Sequence, residues 1–489
     1  MDISTRLTFV IGNYLLSLRK RIANIKMSKS SIHFNISERK VLLRVFDLIV
    51  VLFVLYLVSN SFDFDYFTIT KAHWDSIVVL MLYLSIFGTI FELYDLQKSS
   101  KIDKTVTSIV FTASTTVLFY LLTPFLTPVL PENRLQILFF YFAILLALFL
   151  WSFAYINFVV SPRFFNNVLI IGETSNIQNI VETLRDADPN YKIVGFINCE
   201  VNDLESIKFN AVPEYGPKDM DDVIKDENIS EIVIASYNSD SITSEIYYKL
   251  LRLLEKGFPI NEYTQVYEDM TQRVPVQFVG KDFYRYFPFS RNNQNKLYLF
   301  FHRLFDIIVS SVGLVIGFVL LPLILIGNLL GNRGPLFYTQ KRVGKSGNTF
   351  KIIKYRTMVK NAEAAGAVWA QKGDSRITGF GKFLRNTRLD EIPQFINILK
   401  GEMSLIGPRP ERPHFVKELA QMLPFYETRH MVKPGLTGWA QVKTKYAASI
   451  DDSLIKLQYD LYYIKHRGFL LDLNIFIKTL STVIFFRGQ

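Results

Sequence analysis

Long apolar runs separated by polar loops fill the first third of the chain. Four of them lie at 41–59, 74–93, 106–126 and 135–160, and each has roughly the 20 residues that a helix needs to cross a bilayer. Lysine and arginine are concentrated before the first run and between the second and third, and the other two loops are poor in both. This asymmetry predicts a four-helix transmembrane bundle over 41–160, with both its ends, including the basic segment 1–40, in the cytoplasm.

At about residue 166 the pattern changes to short apolar segments that alternate with amphipathic ones. NVLIIG at 167–172, KIVGFIN at 192–198 and EIVIAS at 231–236 predict buried strands, and 244–257 predicts a helix that stops at a glycine. The alternation predicts a Rossmann-like α/β cytoplasmic domain at 166–275. Gly172 is followed by Glu173 rather than by the later glycines of a dinucleotide loop. This favours a structural or regulatory role, with nucleotide binding as the alternative.

A fifth apolar stretch at 307–330 has features that a simple span does not explain. Basic residues flank it on both sides, so both flanks are predicted to face the cytoplasm. Pro322 lies inside the stretch, where proline removes a backbone hydrogen bond and kinks a helix. We predict a re-entrant membrane helix at 298–331. The alternative is an ordinary fifth span with a proline kink, which would place the remainder of the chain outside the cytoplasm.

Composition and charge narrow the class of protein. Hydrophobic residues make up 49% of the chain and charged residues only 20%, a balance typical of a membrane protein. The single cysteine, Cys199, excludes an internal disulfide. The net charge of +11 is concentrated from Gly331 onward, where Lys and Arg number 26 and Asp and Glu number 12. This basic part suits an anionic partner such as a nucleotide, a phosphate or a membrane lipid, whereas nucleic acid is not expected because no motif for it is visible.

The basic part contains two adjacent carboxylates, Asp390 and Glu391, in the sequence TRLDEIPQ. A structural interpretation makes Asp390 the N-cap of a helix, with Pro393 in the first turn and a Lys-Gly pair at the end. A chemical interpretation starts from the neighbouring arginines, Arg385 and Arg388. In phosphoryl transfer a carboxylate can attack phosphorus, its neighbour can hold Mg²⁺, and arginines can stabilise the transferring group. The local sequence leaves both interpretations open.

Four motifs occur in this part: KYRTM at 354–358, RLDEIPQ at 388–394, GPRP at 407–410 and KPGLTGWAQ at 433–441. With them, the stretch from about Lys296 to Gln489 resembles the bacterial polyprenyl-phosphate sugar-1-phosphate transferases, the monotopic phosphoglycosyl transferases. The preceding spans and α/β segment resemble the long form of that family, typified by glucose and galactose phosphotransferases. The resemblance implies a mainly α catalytic domain at 332–489, joined through a linker at 276–297.

The resemblance also implies a reaction. The aspartate of the acid pair attacks the sugar-bearing phosphate of a UDP-sugar, UMP leaves, and undecaprenyl phosphate then takes the phosphosugar. This would initiate exopolysaccharide, capsule or O-antigen assembly at the cytoplasmic face of the bacterial inner membrane. Glucose or galactose is the expected sugar, although no residue in the sequence selects it. A homodimer through the α/β domain or the membrane spans is also expected.

Matching motifs carry the family's roles to individual residues. Asp390 would be the nucleophile and Glu391 the ligand of a Mg²⁺ cofactor, while Lys354 and Arg385 would contact phosphate. The substrate-binding candidates are Arg356, Arg388, Pro408, Arg409 and Pro410. Arg409 matches the arginine of the family's Pro-Arg-Pro element, and the role of Arg388 is left open. Pro322 matches the proline that breaks the re-entrant helix, although Leu321 stands where shorter members often have serine.

Other proteins could share parts of this pattern. A membrane nucleotide-sugar dehydratase or epimerase would need a glycine-rich NAD loop and a Tyr-x-x-x-Lys pair, and neither is found. Asp63 and Asp65 have the spacing of a glycosyltransferase metal site but are predicted outside the cytoplasm. A non-catalytic polysaccharide-export scaffold would tolerate loss of the acid pair, which is intact.

Several residues near the motifs have a structural interpretation first. Gly435 and Gly438 suit turns, while Trp439, Tyr462 and Tyr463 suit packing or the membrane interface. The histidines at 414, 430 and 466 lack the spacing and the cysteine partners of a zinc site.

Overall fold

The structure of the protein is a computed structural model. It describes residues 36–62, 64, 66–67, 69, 74–94, 102–158, 165–188, 190–199, 212–236, 242–278, 293–360, 362, 374–444 and 449–484. Most of the predicted basic segment 1–40, the pair Asp63 and Asp65, and most of the linker 276–297 lie outside the described residues.

Each of the four apolar runs in the first third forms a helix. These helices are α1 (Ile36–Ser61), α2 (Trp74–Ile90), α3 (Ile102–Leu121) and α4 (Leu135–Phe158). Leu55, Tyr120, Phe140 and Ile144 are fully buried among them. Within the described ranges, three stretches are long and apolar enough to cross a membrane, at 41–61, 135–156 and 296–332. Helix α2 and residues 105–121 of α3 are shorter apolar helices, so length supports two of the four predicted spans.

The predicted α/β domain forms a five-stranded parallel sheet. Its strands are β1 (Asn166–Gly172), β2 (Tyr191–Asn198), β3 (Glu214–Tyr215), β4 (Glu231–Ala235) and β5 (Ile260–Glu262), in the order β3-β2-β1-β4-β5. Its helices are α5 (Thr174–Ala187), α6 (Met220–Asp226), α7 (Ser244–Glu255) and α8 (Tyr263–Thr271), with 3-10 turns at Pro217–Asp219 and Val276–Phe278. The three strands predicted from the sequence are confirmed.

Burial on both faces explains why strand β1 is apolar at nearly every position. Val168 and Ile170 belong to one hydrophobic cluster and Leu169 and Ile171 to another, as expected for a parallel strand covered by helices on both sides. Gly257 follows α7 with a φ of 74°, a left-handed conformation that glycine adopts without strain. This is the predicted glycine stop.

Residues 296–332 form one long helical segment. Helix α9 (Lys296–Gly327) continues into a π-helical turn at Asn328–Asn332. Pro322 lies inside α9 and does not end it. Buried residues recur along one face at Asp306, Ser310, Gly317 and Ile324, and much of the remaining surface is apolar and exposed. The membrane helix predicted at 298–331 is therefore present as a continuous helix.

The last part of the chain is mostly helical, with two small sheets. Its elements are β6 (Phe337–Val343), β7 (Thr349–Tyr355), α10 (Gly379–Asn386), α11 (Gln394–Lys400), β8 (Ser404–Ile406), α12 (Pro413–Met422), β9 (Gly435–Thr437), α13 (Trp439–Lys443), α14 (Ile450–His466) and α15 (Phe469–Ile484), with 3-10 turns at Lys345–Gly347, Leu389–Glu391 and Tyr426–Met431. Strands β6 and β7 pair antiparallel, and β8 and β9 pair parallel.

Polar contacts join the α/β domain to the parts on either side of it. Arg39 at the start of α1 pairs with Asp188, which follows α5. Glu268 of α8 contacts Lys465 at 2.7 Å and His466 at 2.5 Å, both in α14. The α/β domain thus lies in contact with both the membrane helices and the last part of the chain.

Candidate active site

The two adjacent carboxylates lie in a short turn before a helix. Residues Leu389–Glu391 form the 3-10 turn, and Pro393 is the N-cap of the following helix α11. The hypothesis that Asp390 is the N-cap is therefore wrong. Proline takes that place because its φ is already fixed close to the helical value. The predicted end of the helix is confirmed, since Gly401 caps α11 with a φ of 83°.

The turn itself begins at Arg388, which has a positive φ of 59°. This conformation is uncommon for a residue with a β-carbon. The Arg388 carbonyl accepts a hydrogen bond of 3.1 Å from the backbone N–H of Glu391. The result is a tight turn in which Asp390 and Glu391 are each only 7% exposed.

Three cations surround the carboxylate of Glu391. Its Oε1 atom lies 2.8 Å from Lys354 Nζ and 3.2 Å from a terminal nitrogen of Arg409. Its Oε2 atom lies 3.4 Å from Arg388. Burial by itself raises the pKa of Glu391, but these three cations outweigh it and hold that pKa well below its usual range. Glu391 is thus ionised at neutral pH, and Arg388 has a partner that the sequence did not assign.

Asp390 lies in the opposite electrostatic situation. Burial raises the pKa of Asp390 to about 6, Glu391 adds to that rise, and Lys354 opposes it. Across the described ranges, the Asp390 carboxylate accepts no hydrogen bond and belongs to no ion pair. Two neighbouring carboxylates with pKa values pushed apart can take different chemical roles. Asp390 is the weakly held, more basic member, and Glu391 is the firmly held anion.

Strand β7 and helix α10 supply the other predicted cations. Lys354 is in β7, and burial lowers its pKa while Glu391 opposes that effect. Arg385 in α10 donates a 3.0 Å hydrogen bond from Nε to Thr357 Oγ1. Arg356 donates from Nε to the Pro335 carbonyl at 3.1 Å. These bonds hold both guanidinium groups in place, and the Arg385 charge lowers the pKa of Asp390.

The Pro-Arg-Pro segment follows β8, and strand β9 holds it in place. The Pro408 carbonyl accepts from the N–H of Gly435 at 2.9 Å, and the Pro410 carbonyl accepts from Arg342 at 3.1 Å. A β-carbon at Gly435 would overlap the backbone of Gly407, so close strand contact requires glycine there. The two prolines therefore contact the chain through their carbonyls, and the Arg409 side chain reaches Glu391.

A buried ion pair that the motifs did not reveal supports this segment. Arg429 donates to the Arg409 carbonyl at 3.1 Å, to Asp460 at 2.6 Å and to the Tyr426 hydroxyl at 2.6 Å. Arg429 is 7% exposed and Asp460 is 2% exposed. Burial raises the pKa of Asp460 to about 6, and Arg429 opposes that rise. The motif KPGLTGWAQ begins four residues after Arg429, but no local pattern links Arg429 to Asp460.

These residues meet at a cavity of about 430 Å³. Lys354, Arg356, Arg385, Arg388 and Arg409 line it together with both carboxylates. In total eleven Lys and Arg line it against four Asp and Glu, which gives a strongly positive interior around the acid pair. Such a cavity suits a ligand that carries several phosphate charges.

The remaining sequence candidates have packing roles. Trp439 is 1% exposed and stacks near Tyr462 with ring centroids 6.5 Å apart. Tyr463 is buried and donates a 2.9 Å hydrogen bond to Asp472. Gly438 precedes α13 as its N-cap. Pro322 does not line the cavity around the acid pair.

The carboxylates of the site bear on the predicted Mg²⁺ cofactor. Within the ranges that the structure describes, no cluster of three or more His, Cys, Asp or Glu side chains is present. Mg²⁺ commonly uses one or two carboxylates and takes its other ligands from substrate phosphates and water. Two adjacent buried carboxylates, one of them firmly ionised, fit that requirement, and Glu391, the ligand predicted from the resemblance, is one of the two. Because Glu391 is paired with three cations, metal binding would replace at least one of them.

Comparison with known proteins identifies the family to which the chain belongs. Residues 297–486 match a family model described as bacterial sugar transferase. A UDP-N-acetylgalactosamine-undecaprenyl-phosphate N-acetylgalactosaminephosphotransferase of Aeromonas hydrophila is 38% identical over 254 residues, which cover 52% of this chain and 59% of that protein. The chain thus spans about three fifths of the length of that relative.

In two further relatives the match covers two thirds or more of the relative's own length. A putative undecaprenyl-phosphate N-acetylgalactosaminyl 1-phosphate transferase of Bacillus subtilis is 45% identical over 141 residues, which cover 29% of this chain and 79% of that protein. An undecaprenyl-phosphate galactose phosphotransferase of Salmonella typhimurium is 28% identical over 344 residues, which cover 65% of this chain and 67% of that protein. The chain belongs to the bacterial sugar transferase family.

Proposed function

We propose that this protein transfers a sugar-1-phosphate from a UDP-sugar to undecaprenyl phosphate and releases UMP. The observation that carries the proposal is the buried pair Asp390–Glu391, held by cations at the wall of a basic cavity. The names of the relatives support the lipid acceptor. The reaction would be the first, lipid-linked step in assembling an exopolysaccharide, capsule or O-antigen.

In the first step, an oxygen of the Asp390 carboxylate attacks the phosphorus that carries the sugar. The bond from that phosphorus to the bridging oxygen breaks, and UMP leaves with the electron pair. A sugar-phosphoryl group remains on Asp390 as an acyl phosphate. The raised pKa of Asp390, about 6, supports this role because a more basic carboxylate is a better nucleophile while it is still ionised at neutral pH.

In the second step, a phosphate oxygen of undecaprenyl phosphate attacks the same phosphorus. The bond to Asp390 breaks, the carboxylate is regenerated, and the sugar leaves as a lipid-linked diphosphate. Lys354, Arg388 and Arg409 neutralise negative charge near the reacting phosphorus, as preorganised cations do in phosphoryl transfer. Mg²⁺, which Glu391 would hold, would neutralise further negative charge on the phosphates of the UDP-sugar and on the leaving UMP.

The membrane arrangement that we propose is a re-entrant helix with the cavity on the cytoplasmic side. Both ends of the long helical segment contact the same domain. Arg303 near its start donates to the Ile398 carbonyl at 2.6 Å, and Asn332 at its end donates to the Arg356 carbonyl at 2.7 Å. A helix of 32 residues is about 48 Å long when straight, and a perpendicular span would separate its ends by the roughly 30 Å hydrocarbon layer. Contact with one domain along the whole segment supports the re-entrant arrangement.

The proposed function is tested with the full chain in lipid nanodiscs that contain undecaprenyl phosphate. UMP release is measured for UDP-glucose, UDP-galactose and UDP-N-acetylgalactosamine in the presence of Mg²⁺. We expect turnover with at least one of these donors, and at most one UMP per protein when the lipid phosphate is omitted. The proposal fails if none of the donors yields UMP, or if turnover continues without the lipid acceptor.

A further inference from the structure

Two charged residues on the membrane helix contact the two halves of the acid-pair site. Arg303 donates to the carbonyls of Ile398 at 2.6 Å and Leu399 at 2.7 Å, at the C-terminal end of α11. A cation at this end of a helix satisfies carbonyls that have no partner within the helix and interacts favourably with the helix dipole. Helix α11 starts three residues after Glu391, so Arg303 holds the segment that carries the acid pair.

Asp306, one turn further along α9, contacts the other half. Its Oδ1 atom accepts from the backbone N–H of Leu405 at 2.7 Å and from Ser404 Oγ at 3.0 Å. Asp306 is 2% exposed. Ser404 and Ile406 pair with β9, so the Leu405 N–H points to the other side of β8, where Asp306 takes the place of a neighbouring strand. Strand β8 leads directly into the segment that carries Arg409.

The same helix face also packs closely on the acid-pair segment. A β-carbon at Gly313 would overlap the ring of Phe395, and one at Gly317 would overlap the side chain of Ile392. Both neighbours lie within five residues of Asp390. Helix α9 therefore contacts the acid-pair segment through close packing and through Arg303, and contacts the arginine segment through Asp306.

We propose that Arg303 and Asp306 are positioning residues that hold Asp390–Glu391 and Arg409 in mutual register. They do not touch the reacting atoms. Arg303 acts through α11 and the acid pair, whereas Asp306 acts through β8 and Arg409. The membrane helix would then serve as the common template on which the two halves of the site are assembled. This inference rests on the proposed function.

The test is a set of double-mutant comparisons in the full chain in nanodiscs, scored by kcat/KM for UMP release. We expect Asp306→Ala to lower kcat/KM about tenfold or more, because a buried carboxylate that accepts two hydrogen bonds is removed. Asp306→Asn keeps an acceptor oxygen, so its kcat/KM should stay within about threefold of the value for the unsubstituted chain. In an Arg409→Ala background, adding Asp306→Ala should lower kcat/KM almost no further, because the effect of Asp306 on activity passes through Arg409. Arg303→Ala should lose activity by the same full factor in both backgrounds.

Ser310→Ala is the matched control, because Ser310 is equally buried on the same helix face and should leave activity unchanged. If Asp306→Ala does not accumulate, Ser404→Ala replaces it, with a smaller loss that also vanishes in the Arg409→Ala background. The inference is overturned if the Asp306 and Arg409 effects multiply, or if Asp306→Ala lowers only the yield of folded protein at unchanged specific activity. Failure of the proposed function is distinguished by the parent chain, which would then release no UMP at all.

Discussion

Lys354 and Glu391 form a partly buried ion pair, with 2.8 Å between Nζ and Oε1. The two residues come from a strand and a turn that are 37 positions apart in the chain. Glu391 raises the pKa of Lys354 against the effect of burial, and Lys354 lowers the pKa of Glu391. Each keeps the other charged inside the cavity, and the predictions below depend on this pair and its neighbours.

Removing the lysine should impair chemistry much more than folding. We expect Lys354→Met to lower kcat about 100-fold, the magnitude typical of losing one preorganised cation near a reacting phosphoryl group. Lys345→Met is the matched control because Lys345 is exposed and does not line the cavity. UMP release by both variants checks the prediction. Equal rates for the two variants would contradict it.

Neutralising each of the two carboxylates should change the stability of the folded protein in opposite directions. Folding raises the pKa of Asp390 to about 6, so its charge destabilises the folded protein at neutral pH. Asp390→Asn should therefore raise the free energy of unfolding, by on the order of 3 kcal/mol. Folding lowers the pKa of Glu391, so its charge stabilises the folded protein above the usual glutamate pKa. Glu391→Gln should lower the melting temperature.

Both variants should be inactive, which separates stability from function. Thermal unfolding in detergent, followed by intrinsic fluorescence, measures the two shifts, and UMP release measures activity. Retained activity in Asp390→Asn would exclude this residue as the nucleophile. A lower melting temperature in the same variant would exclude the electrostatic account.

Activity should fall as the pH is lowered through about 6, because protonation of Asp390 removes the nucleophile. The sign follows from the raised pKa, since the ionised form is fully populated only well above that value. A profile of kcat/KM against pH from 5 to 8 checks this. A flat profile over that range would show that the ionisation of Asp390 does not limit the reaction.

The Arg429–Asp460 pair should stabilise the folded protein, although neither residue belongs to the sequence motifs. Asp460→Ala leaves a buried guanidinium without its carboxylate, which typically costs about 3 kcal/mol. The double variant Arg429→Met with Asp460→Leu should recover most of that stability, because no buried charge is left unpaired. Activity should stay low in the double variant, because Arg429 no longer donates a hydrogen bond to the Arg409 carbonyl. Thermal unfolding and UMP release, measured side by side, distinguish these outcomes.

Metal removal should stop the reaction reversibly. We expect EDTA to abolish UMP release and added Mg²⁺ to restore it, with Ca²⁺ a poor replacement because it prefers more ligands at longer distances. Undiminished turnover after exhaustive chelation would remove Mg²⁺ from the proposed mechanism.

The sequence predicted those parts of the fold that depend on local pattern. Strands β1, β2 and β4 stand out because parallel strands buried on both faces are continuously apolar. The N-cap hypothesis was wrong because the local pattern around Asp390 fits a cap equally well, and only the backbone shows that Pro393 takes that position. The motifs located the acid pair and its cations. They could not reveal the contact of Arg429 with Asp460, because it depends on how α14 packs against a turn 31 residues away.

The cavity also bears on how this protein can change over evolutionary time. Among the residues that the structure describes, those that line the cavity lie between Tyr338 and Asp460, so the described parts of helices α1–α4 and of the parallel sheet contribute no side chain to it. Substitutions in those two parts can accumulate without altering the cavity wall, provided that contacts such as Glu268 with Lys465 are kept. The Bacillus subtilis relative is matched over 141 residues, which cover 79% of its length but only 29% of this chain, so it is a much shorter protein. The first four helices and the parallel sheet are thus the parts of this protein in which the sequence can change while the cavity wall is kept.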